Sequence, residues 1–241
     1  MNSAAYQSLV PWLILFSRLV LFAVAQALIA VVLLLLSNPD AWSESARWWV
    51  FSAIVTNLVS TFLLVWALRT EGRRYLDFLR FERKTFWTDL ALAAGVFILA
   101  APIGLIPGNL VAQMLFGASD VPVVMMFRAL PLWAILVGLL FPVTIAFAEL
   151  PTYFGYAMPR LERQLGHGWL AWALAALFLS LQHMTLPLIL DGRFIVWRAV
   201  MFLPFALYLG WVLKVRPRLL PYLIVSHFLI DLLALGTYLA L

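Results

Sequence analysis

Four ionisable residues lie within long apolar stretches of the sequence: Glu149, His183, His227 and Asp231. Ionisable side chains inside a bilayer are costly and usually functional. His227 and Asp231 are four residues apart, so on a helix they share one face. A histidine and a carboxylate at that spacing can hydrogen-bond or act together on one substrate atom. These four residues are the candidate site.

The depths of the four residues along their helices support one common site. Counted at 1.5 Å per residue from the nearest basic residue or span start, the depths are ~16 Å for Glu149, ~14 Å for His227, ~20 Å for Asp231 and ~21 Å for His183. All four depths fall near the middle of a ~30 Å hydrocarbon core. Since the residues belong to three spans, we expect three helices to converge on the site.

Each residue also has a structural interpretation. A membrane histidine can simply make an interhelical hydrogen bond, and Glu149 can pair with Arg128 or Arg198, although both arginines are expected nearer the outer face. The presence of all four residues together favours function. His167 lies between two glycines in a predicted loop, where we expect it to be solvated.

Seven long apolar stretches predict an all-α, polytopic transmembrane helical bundle formed by residues 1–241 as a single domain. The stretches run from about Pro11 to Leu36, Trp48 to Leu68, Leu90 to Ile106, Val121 to Met158, Trp169 to Leu190, Ala199 to Leu213 and Leu219 to Leu241. The third is expected to end near Pro107 and Gly108. As one helix, the fourth would be ~57 Å long, so it must tilt, break or re-enter. Pro131, Pro142 and Pro151 are candidate break points, and a split there would give eight spans.

Composition excludes other classes of protein. Hydrophobic residues make up 65% of the chain and charged residues 11%, which leaves too few polar side chains for a soluble enzyme. The absence of cysteine excludes disulfides, a thiol nucleophile and cysteine-based metal sites. The net charge of +5 comes from basic residues at the ends of apolar stretches, which predicts contact with membrane lipid and no nucleic acid partner.

The basic residues also predict orientation. Eleven lie on one side of the membrane: Arg69, Arg73, Arg74, Arg80, Arg83, Lys84, Arg160, Arg163, Lys214, Arg216 and Arg218. Four lie on the other: Arg47, Arg128, Arg193 and Arg198. The positive-inside rule makes the first side, and with it the N-terminus, cytoplasmic. Residues 69–89 are either an amphipathic helix in the headgroup layer or a cytoplasmic loop.

Three segments resemble motifs of the CAAX protease and bacteriocin-processing (CPBP, or Abi) family. Glu149-Leu-Pro-Thr-Tyr-Phe-Gly-Tyr resembles its first motif, which has two glutamates, three residues and an arginine, commonly followed by Gly-Tyr. Leu179-Ser-Leu-Gln-His183 occupies the place of Phe, three residues, His. His227-Phe-Leu-Ile-Asp231 matches His, three residues, Asn or Asp. The resemblance covers residues 144–233, with Leu150, Phe154 and Leu179 departing from the pattern.

The resemblance implies an intramembrane endopeptidase acting on a membrane-associated protein or peptide. Glu149 and His183 would hold and activate a water molecule, while His227 and Asp231 would form the oxyanion site. Leu150 and Phe154 stand where the family has a glutamate and an arginine. The family's glutamate and arginine could be an ion pair that apolar packing replaces here, which leaves the chemistry intact. Alternatively, their loss marks a member that no longer cleaves.

Two further functions remain as alternatives at this point. A non-catalytic member would act as a membrane receptor or partner-binding subunit, and buried Glu, His and Asp could also serve a proton-coupled transporter, although no internal repeat supports one. No cofactor is firmly implied. Two histidines and two carboxylates could bind zinc, but the metalloprotease signature is missing, and we predict no tightly bound metal. The resemblance implies an integral protein of a bacterial cytoplasmic membrane, and the sequence does not indicate the oligomeric state.

Overall fold

The fold is entirely helical in the part that the computed structural model describes, residues 3–236 and 238. This confirms the predicted all-α class. The described α-helices are α1 (Ser3–Leu35), α2 (Ala41–Arg47), α3 (Trp49–Thr70), α4 (Phe86–Phe116), α5 (Val121–Met126), α6 (Leu132–Gly138), α7 (Leu140–Leu150), α8 (Met158–Leu165), α9 (Gly168–Leu181), α10 (Gly192–Met201), α11 (Leu203–Val215) and α12 (Leu220–Leu235). Three short 3-10 turns lie at Tyr75–Leu79, Gln182–Thr185 and Pro217–Leu219, and a π-helical stretch lies at Pro151–Ala157.

Six described helical segments are long and apolar enough to cross a membrane, so the chain is an integral membrane protein. They are Leu9–Leu35, Trp49–Thr70, Phe86–Phe116, Leu132–Leu165, Gly192–Val215 and Pro217–Leu235. The fifth stretch expected from the sequence, about Trp169 to Leu190, is not among these six segments. Its α-helix, α9, has only 14 residues, or ~21 Å. The predicted count of seven or eight spans is therefore not confirmed by helix length.

One sequence expectation about a helix boundary is wrong, and one predicted break point is confirmed. The helix expected to end near Pro107 continues to Phe116. Neighbouring side chains hold this part of α4, since Trp197 Nε1 donates a 3.0 Å hydrogen bond to the Gly108 carbonyl. The long fourth stretch breaks at Pro131, where the backbone is extended, and α6, α7, the π-helical stretch and α8 follow as one candidate span.

The two ends of the bundle differ in charge. At one end, which we call the basic end, three ion pairs link neighbouring elements: Arg160 with Glu71, Lys214 with Glu162, and Arg218 with Asp89. Arg47, Arg128 and Arg193 lie at the opposite end, near the start of α3 and the end of α4.

Arg198 corrects one expectation from the sequence. It was expected near the outer face, but its residue is only 3% exposed within α10. Arg198 donates hydrogen bonds to the carbonyls of His183 and Leu186, so it holds the chain after α9 instead of facing a headgroup. The sequence offered only distance along a helix, which does not show which way a side chain turns.

Residues 69–89 form no long amphipathic helix. Tyr75–Leu79 is a 3-10 turn, the basic residues around it are exposed, and α4 begins at Phe86. Phe78 packs against buried residues of the core. The segment thus lies against the basic end, and its position relative to a membrane stays a prediction.

The chain between α9 and α10 is irregular although it lies inside the bundle. Gln26 of α1 accepts a 2.7 Å hydrogen bond from the Leu188 N–H and donates one of 3.0 Å to the Leu188 carbonyl. Such pairing allows non-helical backbone inside a membrane protein, because lipid chains cannot form hydrogen bonds with its N–H and C=O groups. It also fixes the turn that carries His183.

Candidate active site

Glu149, His183, His227 and Asp231 meet inside the bundle, as the sequence predicted they would. Glu149 is on α7, His183 is in the turn after α9, and the other two are on α12. Glu149 Oε2 lies 3.9 Å from His183 Nε2, and Glu149 Oε1 lies 3.5 Å from His227 Nε2. His227 Nε2 is also 3.0 Å from Asp231 Oδ2. Their catalytic roles stay predictions.

The site is shielded from solvent. Glu149 is 2% exposed, His183 8% and His227 7%. In a site of low dielectric, charges and hydrogen bonds act more strongly than they do in water. Asp231 is only partly buried and lies on the rim of the cluster.

The backbone around Glu149 changes its helical pitch directly after the carboxylate. Helix α7 ends at Leu150, and Pro151–Ala157 is π-helical before α8 begins. π-helical turns inside α-helices are rare overall, but those that occur are frequently at functional sites. Here the turn lets Glu149 face the site while Arg160 of the same candidate span faces Glu71 at the basic end.

His183 is held in one orientation. Its Nδ1 lies 2.9 Å from the Leu179 carbonyl, and its ring packs at 4.1 Å between centroids against Phe202. A carbonyl only accepts hydrogen bonds, so Nδ1 must carry the proton, which leaves the lone pair of a neutral ring on Nε2. That lone pair is on the atom nearest Glu149.

His227 is placed between two carboxyl groups, those of Glu149 and Asp231. Because carboxylate oxygens only accept, the ring nitrogen that faces them, Nε2, must carry a hydrogen. The other ring nitrogen, Nδ1, is buried and has no hydrogen-bond partner among the described residues. The arrangement supplies a fixed N–H donor beside the candidate base.

Sequence reasoning missed three polar residues around Glu149. Gln182 donates from its side-chain amide to Glu149 Oε2. Arg18 donates from Nε to Gln182 Oε1 at 2.6 Å and from Nη2 to Asn57 Oδ1 at 2.9 Å. An arginine in the middle of an apolar span was a signal that could have found this network, because such a charge must be paired.

The three departures from the family motifs are all packed in apolar surroundings. Leu150, Phe154 and Leu179 are each at most 4% exposed and belong to one buried cluster. This agrees with the alternative in which the motif's glutamate and arginine were lost together and replaced by packing. Gly155, which fits the motif, has Phe78 and Leu220 so close that a Cβ would lie 3.1–3.2 Å from them.

An apolar groove lies beside the site, toward the basic end. It has a volume of about 540 Å³, lies between α4 and α12, and is lined by residues that include Phe86, Ala94, Phe97 and Ser226. Phe97 and Ser226 also line a small pocket that contains His227. The groove and the small pocket beside His227 therefore share part of one wall.

The remaining sequence predictions concern metal and His167. In the described residues, no group of three or more His, Cys, Asp and Glu side chains is placed to hold a metal ion. His167 precedes α9 and is exposed, as expected.

Comparison with known proteins identifies one family. The family model described as type II CAAX prenyl endopeptidase Rce1-like matches residues 131–233. This match confirms the resemblance to the CAAX protease family for that part of the chain, which contains all four candidate residues. No curated protein and no solved structure matches the chain.

Proposed function

We propose, from this family match and from the geometry of the site, that the chain is an intramembrane endopeptidase. It would hydrolyse a peptide bond of a membrane-associated peptide or protein with a water molecule activated by Glu149 and His183. The observation that carries the proposal is the 3.9 Å separation of Glu149 Oε2 and His183 Nε2. This distance is too long for a direct hydrogen bond and short enough for one water to contact both atoms.

The mechanism assigns one task to each side chain. Glu149 takes a proton from the water as its oxygen attacks the scissile carbonyl carbon, and His183 orients that water through Nε2. Protonated His227 stabilises the negative charge that develops on the carbonyl oxygen through its positive charge and its free Nδ1–H, while Asp231 faces Nε2 and orients the ring. Glu149 then gives its proton to the leaving amide nitrogen as the C–N bond breaks.

The path of the chain supports a bundle with seven crossings in which α1 begins at the basic end. Val10 of α1 packs with Leu68 at the end of α3, and α12 finishes beside Trp49 at the opposite end. Gly168 lies near Lys214 at the basic end, whereas Arg193 lies against Phe116 at the opposite end. The short helix α9 and the irregular chain after it would thus make the seventh crossing. By the positive-inside rule, the basic end is cytoplasmic.

The groove between α4 and α12 suggests how a substrate enters. Its walls are almost entirely apolar, and it opens at the basic end. A hydrophobic peptide segment or a lipid chain would lose little by moving into it from the membrane. The matching family is named for prenyl CAAX substrates, whose modified cysteine is followed by two aliphatic residues and one variable residue.

The test is peptide cleavage by the purified protein in lipid vesicles. A farnesylated CAAX peptide and the same peptide without the lipid are incubated with wild type, and products are identified by mass spectrometry. Glu149→Gln and His183→Ala should each lose at least about 100-fold in rate while remaining folded, because each loses part of the water-activating pair. His167→Ala, which changes an exposed histidine, is the matched control and should cleave at the wild-type rate. Full cleavage by either site variant would overturn the proposal.

A non-catalytic membrane receptor is the second candidate, favoured by Leu150 and Phe154 in place of the motif's charged residues. In that case wild type releases no product from either peptide, and Glu149→Gln binds the partner as wild type does. Product from wild type removes this candidate.

A further inference from the structure

Arg18 is a fully buried cation outside the part of the chain that matches the family. It lies in the middle of the first candidate span and is 0% exposed. A buried charge carries a large desolvation penalty unless it is paired and hydrogen-bonded. Its position therefore calls for a partner, and the nearest carboxylate is Glu149, with 3.8 Å between Arg18 Nη2 and Glu149 Oε2.

Two amide side chains fix the Arg18 guanidinium in place. Nε donates to Gln182 Oε1 at 2.6 Å, and Nη2 donates to Asn57 Oδ1 at 2.9 Å. Asn57 is fixed in turn by donating to Thr144 Oγ1 at 3.2 Å. Arg18 thus ties α3 and the His183-bearing turn to α1.

The same contacts determine which way the Gln182 amide points. Its oxygen accepts from Arg18 Nε and from the Tyr153 hydroxyl, the latter at 3.2 Å. Its NH₂ group must therefore face the other way, and it donates to Glu149 Oε2. If Arg18 were neutral or absent, nothing charged would hold the amide oxygen, and the amide could rotate away from Glu149.

The motif region supplies no cation beside Glu149. Phe154 stands where the family has arginine, and its ring lies in the apolar core. Arg198 contacts backbone carbonyls, and the two site histidines carry no permanent charge. Arg18 is the permanent cation that the described structure places within 4 Å of the candidate base.

We propose that Arg18 is a positioning residue that, directly and through Gln182, holds Glu149 as an oriented carboxylate, so that the first span completes the active site. The catalytic consequence rests on the proposed peptidase function. The charge coupling between Arg18 and Glu149 does not depend on that function.

The first test is a double-mutant cycle on stability, which needs no substrate. Apparent melting temperatures are measured for wild type, Arg18→Met, Glu149→Gln and the double variant in the same lipid. Arg18→Met should lower the melting temperature by more than about 5 °C, because it leaves a buried carboxylate without its cation. The loss should be at least halved in the Glu149→Gln background. Additive losses would overturn the proposal, whether or not the protein cleaves peptides.

The second test separates positioning from folding. With the farnesylated CAAX peptide, Arg18→Met should lower kcat by at least about 10-fold with KM within about 2-fold, and Arg18→Lys should recover part of kcat by restoring the charge. Arg160→Met is the matched control, since Arg160 is also a buried, ion-paired arginine but lies at the basic end. It should lose stability and keep kcat per folded molecule. An unchanged kcat in Arg18→Met, or an equal fall in Arg160→Met, would overturn the positioning role.

Discussion

Gly210 leaves the space that Phe154 fills at the motif position where the family has arginine. A Cβ at Gly210 would lie 2.6 Å from Phe154 Cε1 and 3.0 Å from Trp172 Cδ1. Neither ring can move easily, because Phe154 is 4% exposed and Trp172 Nε1 donates a 3.0 Å hydrogen bond to the Leu207 carbonyl. Gly210→Ala therefore overpacks the core beside the site.

The expected loss can be worked out from these contacts. Overpacking costs about 1–3 kcal/mol, and replacing glycine with alanine inside a helix returns about 0.5–1 kcal/mol. The net loss is about 0–2.5 kcal/mol, and its central value of about 1 kcal/mol lowers the melting temperature of a chain of this size by about 2–4 °C.

The assay is thermal unfolding followed by tryptophan fluorescence, with Gly168→Ala as the control. A Cβ at Gly168 would also meet atoms at 2.3 Å, but these are the ends of the long side chains of Glu162 and Lys214, which can turn aside. Gly168→Ala should therefore change the melting temperature by less than about 2 °C. Phe154→Leu should recover part of the loss in Gly210→Ala. An unchanged melting temperature in Gly210→Ala would refute the view that Phe154 packs tightly against α11.

Two further predictions concern the basic end and the groove. Partial burial raises the pKa of Glu71, but the hydrogen bonds and charge of Arg160 outweigh it and hold that pKa below its ordinary value of 4.5. The stabilising effect of this pair is thus present at neutral pH and lost as the pH falls below about 4.5. Below that pH the melting temperature of wild type should fall more steeply than that of Glu71→Gln. Parallel curves of melting temperature against pH for the two proteins would contradict this. Ala94→Trp, which fills the groove, should raise KM about 10-fold with kcat within about 2-fold, whereas Leu99→Trp, an exposed position on the same helix, should change neither. Equal KM values for the two variants would rule out the groove as the substrate path.

The convergence of the four candidate residues could be predicted because it depended on local spacing and depth. His227 and Asp231 share a helix face in any helix. The depth of Glu149 followed from its distance to a basic residue, and that of His183 from the expected start of its span. The helical class followed from long apolar runs without alternation.

Arg18 and Gln182 could not be assigned in this way, because their contacts join elements 164 residues apart in the sequence. The apolar sequence around Arg18 indicates that its charge is buried, but it does not show which residue pairs with it. The end of α9 could not be predicted from the sequence for a similar reason. Leu186–Leu190 is as apolar as the helix before it, and hydrogen bonds from the distant residues Gln26 and Arg198 satisfy its irregular backbone.

The central claim is that Glu149 and His183 act together on one water molecule, and a kinetic double-mutant cycle tests it most directly. Initial rates of peptide cleavage are compared for wild type, Glu149→Gln, His183→Ala and the double variant. If the two side chains act as a unit, the double variant should be no slower than the slower single variant, with each loss at least about 100-fold. Losses that multiply in the double variant, or a single variant that keeps the wild-type rate, would contradict the account.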